Sequence, residues 1–172
     1  MLKQEDYQQH ISAKFNTELE SLRNQLLEMG GKVEQQLTTA LAALVKMDSG
    51  EAESIVRKDK EVNQMEMAID DACSTIIARR QPTASDLRLV VAIIKVNTDL
   101  ERIGDEAAKV AKQAVMLAEG GNSPSNFVEI RHIGASVGIM LRQALDAFAR
   151  LDAEQAISVV RGDEEVDKEY ST

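Results

Sequence analysis

An all-α fold is predicted by three features of the sequence. Aromatic residues make up only 3% of the chain while 44% is apolar, mostly Ala, Leu, Ile, Val and Met, a palette that suits helix-on-helix packing better than a sheet. Two prolines and nine glycines interrupt 172 residues, a length sufficient for one compact domain or two small three-helix units. Apolar residues recur in steps of three and four over long stretches, the spacing of a single buried stripe on a helix.

The first helix is expected from about Phe15 to Met47. Its seam of Phe15, Leu19, Leu22, Leu26, Met29, Val33, Leu37, Ala40 and Leu44 keeps close to a heptad rhythm. Gly30 and Gly31 interrupt that seam and mark either a bend or a close helix contact. Asp48-Ser49-Gly50 makes a short turn, so the second helix, about Glu51 to Arg80, should run antiparallel to the first with Ile55, Val62, Met65, Ile69, Cys73 and Ile76 inward. Arg79 and Arg80 end it where cations suit the helix dipole. After Gln81-Pro82-Thr83-Ala84, Ser85 is the expected cap of a third helix reaching Leu117. That helix carries the stripe Leu89, Ile93, Val96, Leu100, Ile103, Ala107, Val110, Ala114 and Leu117. The segment AEGGNSPSN, from Ala118 to Asn126, is dense in turn formers and is the strongest boundary in the chain. A fourth helix, about Phe127 to Leu151, and a fifth from about Ala153 to the end follow it, with Asp152 at the turn between them.

Laid without a gap over Ile133–Thr172, the stretch Met29–Ala68 matches at 14 of 40 positions at an offset of 104, where unrelated chains would share about two or three. The chain is therefore a tandem duplication of a three-helix unit. Residues 1–118 form the first copy, 119–126 a linker, and 127–172 a second copy that stops inside its second helix. Two helices with an apolar stripe cannot bury it alone, so residues 127–170 are expected to pack on the first unit or on a second copy of the protein.

Charge and cysteine usage narrow the function. Acidic residues outnumber basic ones 29 to 20, a net charge of −9 with the basic residues dispersed, which disfavours nucleic acid. One cysteine, Cys73, excludes an internal disulfide and fits a reducing compartment; with no cation on its helical face it reads as a buried, inert thiol. The amino terminus lacks the apolar core of a signal peptide, and the longest apolar run, Leu89 to Val96, is short and broken by Lys95. A cytoplasmic protein is expected, reaching a membrane only through partners.

Oxygen donors are the remaining chemistry. Glu101 and Asp105 lie four apart on one face of the third helix, converging on a point outside the bundle, with Gly104 between them nearer the buried side. A helical glycine costs roughly 0.8–1 kcal/mol relative to alanine, so close approach by a neighbouring helix is the expected compensation. On the second helix Asp59, Asn63, Glu66 and Asp70 form a polar strip flanking the core. Acidic pairs of this kind are weak evidence alone, since about five arise by chance in so acidic a chain. Antiparallel neighbours can nevertheless bring the two strips together, and an all-oxygen set favours hard ions such as Mg²⁺, Mn²⁺, Ca²⁺ or iron.

The duplicated layout, the run RRQPTASDLRLVVAIIKVNTDLERIGDEAAKVAK from Arg79 to Lys112 and the paired E/D-x-x-x-D motifs resemble the PhoU family of bacterial phosphate-signalling regulators. The resemblance implies a cytoplasmic, non-catalytic, dimeric negative regulator of phosphate uptake and phosphate-starvation signalling. Its implied partners are the ATPase of the phosphate ABC transporter and a sensor histidine kinase. It also implies Mg, Mn or Fe cations on surface acidic motifs. Carried onto this chain, the first site would use Asp59, Asn63, Glu101 and Asp105, with Asn63 departing from the acidic pattern. In the second copy Asp163 and Asp167 keep the D-x-x-x-D form, but their partner motif has no residues here.

Two other classes compete. A ferritin-like di-metal carboxylate bundle needs two E-x-x-H triplets, and the chain holds one, Glu129-Ile130-Arg131-His132, because His10 has no Glu three residues before it. No phosphate-cradling glycine loop or nucleophile elbow is present either. A metal-free helical adaptor that docks partners through its acidic surface has the same fold and differs only in what the acidic strips hold.

Overall fold

The computed structural model describes residues 4–120 and 127–170. The linker expected at 119–126 therefore lies outside the described residues from 121 onward, as do 171 and 172. Among the described residues there are five helices and no strand: α1 (Gln4–Lys46), α2 (Ser49–Arg80), α3 (Ala84–Glu119), α4 (Val128–Arg150) and α5 (Ala153–Tyr170). The all-α expectation holds. α1 begins eleven residues before Phe15, because the preceding residues contain neither proline nor glycine and helix propensity extends a rod once its packed part is nucleated. At 43 residues α1 is about 65 Å long.

α1, α2 and α3 pack on one another, and α4 packs on α1 and α5. The expected α1 seam is the core: Leu22, Leu26, Met29, Val33 and Ala40 are fully enclosed, and only Phe15 is part-covered. On α2 the inward set is Ala52, Ile55, Val62, Ile69, Cys73 and Ile76, with Met65 moved to the flank. The α3 stripe is rotated from the expected one. Val90, Ile93, Asn97, Leu100, Gly104, Ala107, Ala111 and Ala114 face inward, while Leu89, Val96, Ile103 and Val110 are only partly covered. Small residues explain the rotation: Gly104 and the buried Ala107, Ala108, Ala111 and Ala114 let α3 lie close to its neighbours, which the larger side chains beside them would prevent.

The duplication is visible at its corners. Asp48 caps α2, its Oδ1 accepting from the Glu51 N–H at 3.0 Å, and Asp152 treats the Gln155 N–H the same way at 3.0 Å. The residue before each cap is left-handed, Met47 at φ 57° and Leu151 at φ 55°. The turn between α2 and α3 differs. Gln81 is left-handed at φ 46° and its N–H closes on the Ile77 carbonyl, Pro82 prevents continuation, and Thr83 stands at the α3 cap position without a side-chain cap bond. Ser85, the expected cap, lies inside the helix.

The two copies meet through matched glycines. A Cβ on Gly30 would sit 2.5 Å from a Leu145 methyl, and one on Gly134 would sit 2.7 Å from a Leu41 methyl. The offset of 104 converts one contact into the other, so the α1–α4 junction is self-complementary, like an isologous dimer contact within one chain. Gly30 thus marks a close contact, and Gly31, with nothing within 4 Å, does not. The Arg142 guanidinium adds an ion pair to Glu34 across the same junction. Residues 128–170 accordingly pack on the first unit, through α4.

Candidate functional site

The α2 and α3 strips meet along an antiparallel seam. A Cβ on Gly104 would lie 3.3 Å from Val62 Cγ1 and 3.8 Å from Asp59 Oδ1, which sets these residues against each other. Thirty-one residues apart in sequence, Asn97 Nδ2 donates to the Glu66 carbonyl at 2.9 Å, one step further along the same register. Asp59 therefore faces Asp105, and Asn63 the region of Glu101. All four are half-buried. The sequence placed Glu101 and Asp105 outside the bundle. They stand instead at the helix-helix seam, because the rotation of α3 turns Gly104 inward and brings its neighbours toward α2.

The electrostatics follow from this proximity. Burial, and then the charge of Asp105, hold the Asp59 carboxyl above the ordinary aspartate range, against a smaller opposing effect of Lys112. Glu101 is likewise raised, by burial first and then by Asp105, Glu66 and Asp59, with Arg102 opposing. The charge of Asp105 thus disfavours ionisation of both Asp59 and Glu101, and an added positive charge would relax that repulsion. Asp59 Oδ1 and Asn63 Oδ1 are also buried without a hydrogen-bond partner, and such orphaned acceptors carry an uncompensated desolvation cost.

These observations fit a hard cation: the donors are all oxygens, and two are left unsatisfied by the protein. Among the described residues no three His, Cys, Asp or Glu side chains are grouped closely enough to hold an ion by themselves. A cation at this seam must draw on neutral oxygens as well, of which Asn63 is one. Two further neutral oxygens, Gln36 Oε1 on α1 and Asn97 Oδ1 on α3, are buried and unpartnered. Both escaped the sequence reading. The available signal was positional: Gln36 continues the four-three-four spacing of Met29, Val33 and Ala40, and Asn97 that of Ile93, Leu100 and Gly104, so each is a polar side chain on an apolar stripe.

Other expected positions separate from this seam. Asp163 and Asp167 lie on α5 and are exposed, unlike the half-buried Asp59 and Asn63 that they match by offset. Arg80, at the end of α2, is engaged by Glu18, to which its Nε and Nη2 donate at 2.9 and 2.7 Å. Cys73 is enclosed and its thiol is pushed up to about 11 by burial and by Asp70, consistent with the inert thiol expected. No helix of the described residues is long and apolar enough to cross a membrane. A cleft of about 430 Å³ between α1 and α2 is lined by Lys32, Gln36, Ser54 and Lys58, with Lys32 held by Glu61 at 3.1 Å.

Comparison with known proteins agrees with this architecture. The family profile described as "PhoU domain" matches residues 26–114 and 130–172. The chain is 53% identical over all 172 residues to a phosphate-specific transport system accessory protein PhoU homolog of Pseudomonas putida, covering 67% of that protein. It is 49% identical over 161 residues to the phosphate-specific transport system accessory protein PhoU of Escherichia coli K12, covering 94% of this chain and 66% of the relative. The chain thus spans about two thirds of the length of these relatives. Among solved structures, PhoU from Pseudomonas aeruginosa superposes with a TM-score of 0.88 at 55% identity, over 91% of this chain and 75% of that one. The phosphate transport system regulatory protein PhoU from Streptococcus pneumoniae superposes with a TM-score of 0.83 at 35% identity, over 91% and 73%.

Proposed function

The chain belongs to the PhoU family, and from that membership we propose that it is an accessory regulator of phosphate uptake that works by docking to the phosphate transport system rather than by turning over a substrate. Identity of 53% along the whole chain to an accessory protein of that system carries the reading. In its finer form the partners are the transporter's ATPase and a sensor histidine kinase, and the protein keeps the phosphate-starvation response switched off while phosphate is plentiful. It acts in the cytoplasm, as a dimer, and meets the membrane through those partners.

The seam supplies the second part of the proposal. Asp59, Glu101 and Asp105, with Asn63 contributing an amide oxygen, would hold a hard divalent cation or iron. The ion would supply positive charge that offsets the mutual repulsion of the carboxylates and joins α2 to α3. The protein's own contribution is positional: long, well-packed rods keep the donors at fixed spacing, and Gly104 admits the close approach. Asp163 and Asp167, exposed on α5, would take an ion only with donors from outside the described residues.

Deleting the gene in its host and measuring alkaline phosphatase in phosphate-rich medium tests the regulatory reading. The activity is expected to rise to its starved level. Activity that stays low after deletion refutes the assignment. The metal-free adaptor is separated from the cation-binding form by returning Asp59→Ala to the deletion strain: an adaptor without metal tolerates it, whereas a cation-dependent regulator loses repression.

A further inference from the structure

Among the described residues, the buried side-chain atoms that lack a hydrogen-bond partner are Gln36 Oε1, Asp59 Oδ1, Asn63 Oδ1, Asn97 Oδ1 and Arg23 Nε. Four of the five are acceptors, drawn from all three helices of the first copy. Arg23, the one donor, precedes Gln36 by thirteen residues on α1, or about 20 Å of helix, too far to serve it.

Gln36 is the instructive member. It is 6% exposed, and its Oε1 lies 3.3 Å from the position of a Cβ on Gly104, while Asp59 Oδ1 lies 3.8 Å from the same point. Oxygens from α1 and α2 therefore face one spot on α3, and neither has a donor. At the offset of 104 the counterpart of Gln36 is Met140, an apolar side chain on the equivalent face of α4, while the flanking Val33, Leu37 and Ala40 recur unchanged as Val137, Leu141 and Ala144. A buried amide oxygen without a donor, sharing one spot on α3 with an unpartnered carboxylate oxygen, has the properties of a ligand.

We propose that Gln36 Oε1 is a direct ligand of the cation at the Asp59–Asp105 seam, so that the ion ties α1 to the α2–α3 pair. The proposal rests on the cation reading given above and extends it to the third helix, the one that carries α4. It makes the ion a three-helix clamp. Oxygen-preferring ions accept an amide carbonyl beside carboxylates, so the added donor keeps the site hard in character.

Mn²⁺ alone serves as the probe, with bound ion counted by electron paramagnetic resonance and the thermal midpoint followed in parallel. The intact chain is compared with Gln36→Met, Gln36→Glu and Asp105→Ala. Gln36→Met, which installs the side chain of the second copy, is expected to bind Mn²⁺ at least about tenfold more weakly while melting no lower than the parent in chelator. Gln36→Glu is expected to bind more tightly than the parent, and it carries the test if the methionine variant fails to fold. Parent and Gln36→Met binding equally, with Asp105→Ala impaired, overturns the role of Gln36 and leaves the seam intact. A parent that binds no Mn²⁺ overturns the cation reading, and this proposal with it.

Discussion

At Asp59 the protein spends stability to keep a carboxyl where water cannot fully reach it. Its pKa is raised, so the folded state holds the proton more tightly than the unfolded chain. The associated stability is complete below the ordinary aspartate value and is lost as pH rises through the raised one. At neutral pH the ionised group therefore opposes folding, and the same sign holds for Glu101. Asp59→Asn is expected to melt higher than the parent in chelator at neutral pH, with the difference shrinking as pH falls toward about 4; paired thermal melts across that range check it. Cys73 gives an independent prediction from a raised thiol of about 11 in an enclosed position: a thiol reagent at mildly alkaline pH should label it only after denaturant is added. The charged members of the seam were legible in the sequence because a four-residue spacing puts carboxylates on one face. Gln36 was not, because an uncharged amide is conspicuous only once it is known to be buried without a partner.

At the scale of helices, the junction between copies depends on two glycines that cannot be enlarged freely. A Cβ on Gly134 would meet both Leu41 methyls, at 2.7 and 2.9 Å. Gly134→Ala recovers up to about 1 kcal/mol of helix propensity but overpacks the contact by about 1–3 kcal/mol. The net expectation is a loss of about 1 kcal/mol, the difference between those two effects. Adding Leu41→Ala should remove the clash, giving a coupling of about 1 kcal/mol in a double-mutant cycle of denaturant melts. Additive effects would place the two residues apart. Helix order, antiparallel turns and the α1 seam follow directly from apolar periodicity and from Asp48 and Asp152. The rotation of α3 does not, because large residues at Leu89 and Val96 and small ones at Gly104 and Ala111 satisfy a stripe equally well in one dimension. Only contact with α1 and α2 selects the small face.

Across the molecule the two copies are covered unequally. Ala52 is fully enclosed in the first, whereas its counterpart Ala156 is exposed, and Ile157 and Val160 are 52% and 72% exposed on α5. In the first copy α3 covers α1 and α2, and no described helix does this for α4 and α5. Amide exchange in α5 is expected to be much faster than in the middle of α2; equal protection would show that another copy covers this face. The duplication that predicts this imbalance was readable from 14 matched positions, while the self-complementary way in which the copies meet needed coordinates. The proposed cation site lies in the better covered copy, where Asp59 and Asp105 are held by three packed helices. Its existence is tested most directly by metal analysis of the protein purified without chelator, parent beside Asp105→Ala. The account predicts bound divalent metal or iron in the parent and little in the variant; equal content in the two would contradict it.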